Sequence, residues 1–277
     1  MQSTRMPKPS LLITLRAVRW QKRTLLSDMQ ESFSELKITR ELKAEGEARK
    51  FAEIAFRNLS FLEEFYYYEV VDSTNERAKE KCRKFCLFFA ERQTAGRGRL
   101  GRRWFSDRGG LYFSITLPFY EAAKLTMVSA LSVAEAIPGA RIKWPNDVLL
   151  GDLKFSGILG EIAKDKAIVG IGINVENEIP GQLKGYATNI STFYKISRAE
   201  VFERFTRNFN KNYSELVSGN WSELFQRYRK LCATVGIKVK VITPSGEFSG
   251  TAELSEDGAI VVGGQKIYAG DCIHLRV

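Results

Sequence analysis

The sequence predicts an α+β fold followed by a small all-β domain, and three observations lead there. Between residues 65 and 175, short segments of strand composition recur with tight turns between them. Two amphipathic helix patterns follow, at 197–217 and 221–232. From Gly236 the texture changes to short alternating strands broken by PSG, EDG and GG turns, which reads as a small barrel of about five strands. The expected organisation is a basic, helical N-terminal extension over 1–62, a catalytic domain over 63–233 and a small β-barrel domain over 234–277.

In chain order, residues 1–27 carry Arg5, Lys8, Arg16, Arg19, Lys22 and Arg23, and the first acid is Asp28. Such a stretch resembles an organellar targeting peptide, and its plainer reading is a basic tail. Residues 28–62 are rich in Glu, Lys, Leu and Ala and are expected to be helical, without a clear winged-helix pattern. FYYYEVV (65–71) has strand composition. DSTNERAKEKCRKF then offers a cap at Asp72–Thr74 and a helix, on which Cys82 and Cys86 sit four apart, a spacing that suits packing. CLFFAE (86–91) reads as a buried strand and GLYFSITLPF (110–119) as another. Residues 121–137 form an apolar-periodic helix ended by Pro138-Gly139, and 140–175 supply several short strands.

Composition narrows the function classes. Hydrophobic content of 44% in 277 residues supports a sizeable core, and no apolar run approaches the length of a membrane span. The formal charge of +10 suits anionic partners such as nucleotides without choosing among them. The single histidine, His274, lies three residues from the end, a poor place for Ser-His-Asp or Cys-His chemistry and for most zinc sites. Four cysteines without a CxxC pair fit a reducing compartment, and the expected location is cytoplasmic. Any catalysis is left to Lys, Arg and carboxylates.

Four segments hold more glycine and polar residues than a core needs: DSTN (72–75), QTAGRGRLGRRW (93–104), KWPND (143–147) and KFSGILGE (154–161), with GIGINV (170–175) after them. The second crowds Arg97, Arg99, Arg102 and Arg103 among Gly96, Gly98 and Gly101, so like charges repel and glycine raises the entropy cost of order. An arriving anion would relieve both. Singly, each segment has an ordinary reading: a helix cap, an RNA-binding Gly-Arg run, a proline turn, a surface lysine. Together they offer backbone N–H groups, cations for phosphate and directional hydrogen bonds for a neutral polar ligand.

In this order and spacing the segments closely resemble the catalytic domain of biotin protein ligases, over roughly residues 65–277. The resemblance implies a class II aminoacyl-tRNA-synthetase-like core, a mixed and mainly antiparallel sheet with flanking helices, plus a C-terminal β-barrel. It implies an ATP-dependent enzyme that joins biotin to AMP and passes the biotinyl group to a lysine of a biotin carboxyl carrier domain, with Mg²⁺ accompanying ATP. A homodimer is compatible with it; DNA and membranes are not expected partners. The runners-up are a ligase that is also a DNA-binding repressor, and a lipoate ligase relative.

Residue by residue, the resemblance puts Ser73, Thr74, Asn75 and Gln93 around the ureido ring of biotin. It puts Gly96, Arg97, Gly98 and Gly157 along the rest of biotin, with Arg97 and Arg99 beside its carboxylate. Arg102, Trp104, Lys143, Asn146 and Asn174 fall to ATP or the adenylate. Lys154 bridges carboxylate and phosphate, Arg99 assists catalysis, and Asp147 orients the incoming amine or helps place Mg²⁺.

Overall fold

Eight segments, the central ones rich in aromatic and β-branched residues, pair into one sheet, and the alternation of side chains along them gives the sheet two faces of different character. The computed structural model describes residues 34–41, 44–81, 83–118 and 122–275. The strands are β1 (Glu35–Ile38), β2 (Glu64–Tyr68), β3 (Cys86–Ala90), β4 (Leu111–Pro118), β5 (Ala140–Lys143), β6 (Asp147–Leu150), β7 (Leu153–Ala163) and β8 (Lys166–Ile173). Their spatial order is β1-β2-β3-β4-β8-β7-β6-β5. Only β2 and β3 run parallel; every other neighbouring pair is antiparallel.

On one face the cross-strand rows are apolar, as in Phe89, Phe113 and Ile171 or Leu87, Ile115 and Val169. Helices α1 (Gly46–Asn58), α3 (Ala122–Ala136) and α4 (Arg198–Val217) lie on the same core, with α5 (Trp221–Leu231) against α3 and α4. Phe89 is the hub. Its ring stacks 4.5 Å from Phe51 of α1 and meets Phe202 of α4 edge-on at 5.6 Å. Truncating such a ring to alanine costs about 3–5 kcal/mol.

On the other face the rows change along the sheet. Phe88, Ser114, Gly170 and Leu159 form one row, and Ala90, Tyr112, Gly172 and Gly157 the next. The short helix α2 (Thr74–Glu80) covers the aromatic end of this face. Beyond it, small residues leave the floor low.

The helical pattern read over 28–62 is realised over Gly46–Asn58, but Glu35–Ile38 is an edge strand. Pairing with β2 overrides propensity there. It buries Ile38, lets Tyr68 Oη donate to Glu35 at 2.6 Å and joins Lys37 to Glu64 at 2.6 Å. The helix after Asp72 stops at Glu80, so Cys86 belongs to a strand and does not share a helix with Cys82. Cys82 and the basic stretch 1–27 lie outside the described residues. Among the described residues no helix is long and apolar enough to cross a membrane.

The C-terminal part forms two antiparallel three-stranded sheets, six strands rather than about five. One comprises β9 (Lys238–Thr243), β10 (Gly246–Thr251) and β14 (Asp271–His274). The other comprises β11 (Glu253–Leu254), β12 (Ile260–Val262) and β13 (Gln265–Ile267). Trp144, buried in the turn between β5 and β6, ties them to the main sheet. Its backbone N–H donates to Thr234 Oγ1 at 3.0 Å and its indole N–H to the Gly258 carbonyl at 2.9 Å.

Candidate active site

The low floor at Gly157, Gly170 and Gly172 opens a cavity of about 480 Å³, a size that suits a small ligand. Gly170 and Gly172 are spatially required. A Cβ on Gly172 would stand 2.4 Å from Trp104 Nε1, and one on Gly170 would stand 2.2 Å from Asn75 Oδ1. In GIGIN the isoleucines therefore fill the core while the glycines make room for two side chains on the opposite face.

At the α2 end the wall is polar. Ser73, Thr74 and Asn75 are buried yet line the cavity. Gln93 Oε1 accepts from the Thr74 backbone N–H at 2.9 Å, so its Nε2 turns to Ser106 Oγ, also at 2.9 Å. Asn75 Nδ2 donates to Glu161 at 2.6 Å, and its Oδ1 accepts from Ser114 Oγ at 2.5 Å. The far end of α2 is anchored by Lys166, a buried lysine whose Nζ donates to the carbonyls of Ala78 and Lys81. That bond satisfies carbonyls the helix leaves unpaired.

The arginine-rich segment forms a tight hairpin, closed by Gly98 N–H to the Arg102 carbonyl (2.7 Å) and Trp104 N–H to the Gly96 carbonyl (2.8 Å). Its tip at Leu100 is exposed and takes a positive φ of 56°. The four guanidinium groups each take a different partner, although Arg102 still repels Arg99. Arg97 pairs with Glu76, Arg99 donates to Asn146 Oδ1 at 3.2 Å, Arg102 reaches Asp271 at 2.5 Å, and Arg103 lies over the Phe105 ring. Burial pulls the pKa of Arg99 down, against the opposing pull of Asp147 and Asp271.

Lys154 enters at the start of β7. Its Nζ lies 2.6 Å from Asp147 Oδ1 and 5.2 Å from the Trp104 ring centroid. Six cations, Arg97, Arg99, Arg102, Arg103, Lys143 and Lys154, line the cavity against two carboxylates, Asp147 and Asp271. The cavity therefore carries a surplus of positive charge beside a neutral polar end, which suits a ligand polar at one end and anionic at the other.

Of the residues expected from sequence, Gly96 alone does not line this cavity. It is buried behind the wall, where a Cβ would come within 2.6 Å of Ser106 Oγ and the Trp104 carbonyl. Asn174 lines the cavity with its amide engaged by the Thr188 carbonyl and Asn177. Sequence reasoning did not reach Ser114, Ser106, Glu161 or Asp271. Ser114 arrives by cross-strand register, and Asp271 comes from the C-terminal sheet, together with Ile242, Cys272 and Ile273. Burial pushes the Cys272 thiol up to about 12, so it stays protonated and is no nucleophile.

Relatives with this arrangement are known. The Biotin/lipoate A/B protein ligase family matches over residues 67–177. The bifunctional ligase/repressor BirA of Bacillus subtilis is 32% identical over 234 residues, covering 74% of this chain and 72% of the relative. The chain belongs to the biotin protein ligase family. The biotin–[acetyl-CoA-carboxylase] ligase of Mycobacterium tuberculosis is 31% identical over 212 residues, or 69% of this chain and 79% of that protein. Among solved structures, the biotin protein ligase of Aquifex aeolicus in complex with biotin and ATP aligns with a TM-score of 0.70 at 36% identity, over 77% of this chain and 99% of that one. The sheet with flanking helices and the small C-terminal sheets are those of a biotin protein ligase.

Proposed function

We propose that this cavity joins biotin to AMP and then gives the biotinyl group to a lysine of a biotin carboxyl carrier domain. The observation that carries the reading is the meeting of Lys154 and the hairpin arginines with the polar end formed by Ser73–Asn75 and Gln93, all on one cavity.

The chemistry explains the charge. A carboxylate is a poor electrophile, because its charge repels nucleophiles and oxide leaves badly. In the first step a biotin carboxylate oxygen attacks the α-phosphorus of ATP, the bond to the β-phosphate oxygen breaks, and pyrophosphate departs. Two anions must be brought together, and Lys154, Arg97 and Arg99 stabilise the charge that develops. In the second step the lysine amine of the carrier attacks the acyl carbon, the bond between that carbon and the AMP oxygen breaks, AMP leaves with the electron pair, and the proton lost by the amine passes to water. Asp147, ion-paired with Lys154, is the cavity carboxylate we assign to orienting the incoming amine.

Trp104 and Asn174 fall to the adenine side, with Lys143 and Asn146 along the phosphates and Arg102 holding the hairpin. Mg²⁺ enters with ATP. Among the described residues no cluster of three His, Cys, Asp or Glu groups could hold a metal, and one oxygen of Asp147 is taken by Lys154. The phosphates and water would hold most of the ion's coordination, and the second oxygen of Asp147 would be the carboxylate that helps place it, as is usual for Mg²⁺. Incubating the purified protein with biotin, ATP and a carrier domain should label one carrier lysine, with lipoate giving no label. Labelling by lipoate and not by biotin would overturn the substrate assignment.

A further inference from the structure

Behind the polar end of the cavity runs a chain of hydrogen bonds whose direction is set by one residue outside the cavity. Glu161 sits on β7, and its carboxylate accepts from Asn75 Nδ2 at 2.6 Å and from Lys79 Nζ at 2.7 Å. Lys79 also reaches Glu76 at 2.9 Å. Burial works against the Glu161 charge, but hydrogen bonds from Lys79 and Asn75 prevail and hold its pKa below the usual range. Glu161 is ionised at neutral pH, and an ionised carboxylate can only accept.

The consequence propagates. With Nδ2 of Asn75 committed to Glu161, Oδ1 must face Ser114. Ser114 Oγ lies 2.5 Å from Asn75 Oδ1 and 2.7 Å from Thr74 Oγ1, and it has one proton. The amide oxygen cannot donate, so the Ser114 proton goes there. Thr74 then supplies its own proton to Ser114, since otherwise two lone pairs would face each other at 2.7 Å. Gln93 Oε1 also lies within reach of the Thr74 hydroxyl, at 3.2 Å, and can accept from it as well as from the Thr74 backbone N–H, but the 2.7 Å contact to Ser114 is the shorter and would then hold no proton, so the Thr74 proton goes to Ser114. Thr74 Oγ1 is left with lone pairs alone for a ligand in the cavity it lines.

We infer that Glu161 is a positioning residue that fixes the order Thr74 to Ser114 to Asn75 to Glu161, and thereby makes the Thr74 hydroxyl an acceptor that selects a ligand N–H. A cyclic urea presents such a group; a ring carrying oxygen or sulfur at that place does not. The inference rests on the reading of the cavity as a biotin site and adds the source of its selectivity.

The test compares affinities, by calorimetry, for biotin and for the analogue in which the one ureido N–H that meets Thr74 is a ring oxygen, each ureido position being replaced in turn to find it. The wild-type chain should favour biotin by roughly ten- to hundredfold, the scale of one buried group left unpaired. Glu161→Gln, whose side chain can also donate, and Ser114→Ala, which cuts the chain while keeping Glu161, should each shrink that preference to within about threefold. A merely structural role would weaken both ligands alike and leave the ratio unchanged. Should Glu161→Gln fail to fold, Ser114→Ala decides. A wild-type preference surviving in either folded variant overturns the inference while leaving the biotin site intact; failure of the wild-type chain to bind biotin removes both.

Discussion

Lys154 Nζ and Asp147 Oδ1 stand 2.6 Å apart on adjacent strands, the one ion pair that joins the KWPND turn to the KFSGILGE strand among the described residues. The pair gives the ammonium a fixed direction before any ligand arrives. Asp147→Asn keeps the shape and removes the charge. It should slow adenylate formation by about ten- to hundredfold, the cost of a misplaced reacting group, with biotin affinity little changed. Single-turnover kinetics beside calorimetry would separate the two, and an unchanged rate would exclude this role.

Arg99 is the hairpin arginine drawn inward, donating to Asn146 and depressed in pKa by burial. Arg99→Ala should let the adenylate escape to solvent, where water hydrolyses it. Free biotinyl-AMP in the medium should rise against wild type in a trapping assay. Equal retention by the variant counts against Arg99 as a contact that holds the adenylate.

Gly172 and Gly170 separate two halves of the ligand reading. Gly172→Ala forces Trp104 out of place and should raise the KM for ATP more than that for biotin. Gly170→Ala displaces Asn75 and should do the reverse. Titrating each substrate against both variants checks the split; equal effects on both substrates would show that neither glycine serves one ligand.

Glu64 is buried beside Lys37 (2.6 Å), Arg83 (2.8 Å) and the Tyr66 hydroxyl (2.5 Å). Burial raises its pKa, but the hydrogen bonds from Lys37 and Tyr66 outweigh that and lower it below the usual carboxylate range. Glu161 is lowered likewise. A carboxyl with a depressed folded-state pKa stabilises the fold above its unfolded value and loses that contribution as pH falls through the folded one. Melting temperature should therefore drop on acidification from the ordinary carboxylate range downward, and Glu64→Gln should flatten part of the drop. A melting temperature that holds steady into acid would contradict this.

The local parts of the site were legible in the sequence. DSTN, the arginine hairpin, KWPND and Lys154 each sit on one short segment, and the order of those segments pointed to the family. Ser114 was illegible because it reads as one polar residue in an alternating strand; only its register opposite Gly170 brings it under Asn75. Asp271 was illegible because its partner Arg102 is 169 residues away. Glu161 falls within the KFSGILGE segment, yet its partners Asn75 and Lys79 lie on α2. Strand β1 was misread because four residues of mixed polarity have no period of their own until β2 supplies a neighbour.

Cations drawing a carboxylate and an α-phosphate together at Lys154 are the centre of the proposed chemistry. Biotin-dependent exchange of labelled pyrophosphate into ATP, without any carrier, reads that step directly. The wild-type chain should show exchange and Lys154→Ala should lose at least about a hundredfold of it, the scale of removing one preorganised charge, while the variant still folds and binds biotin. Exchange at the wild-type rate in a folded Lys154→Ala would contradict that chemistry.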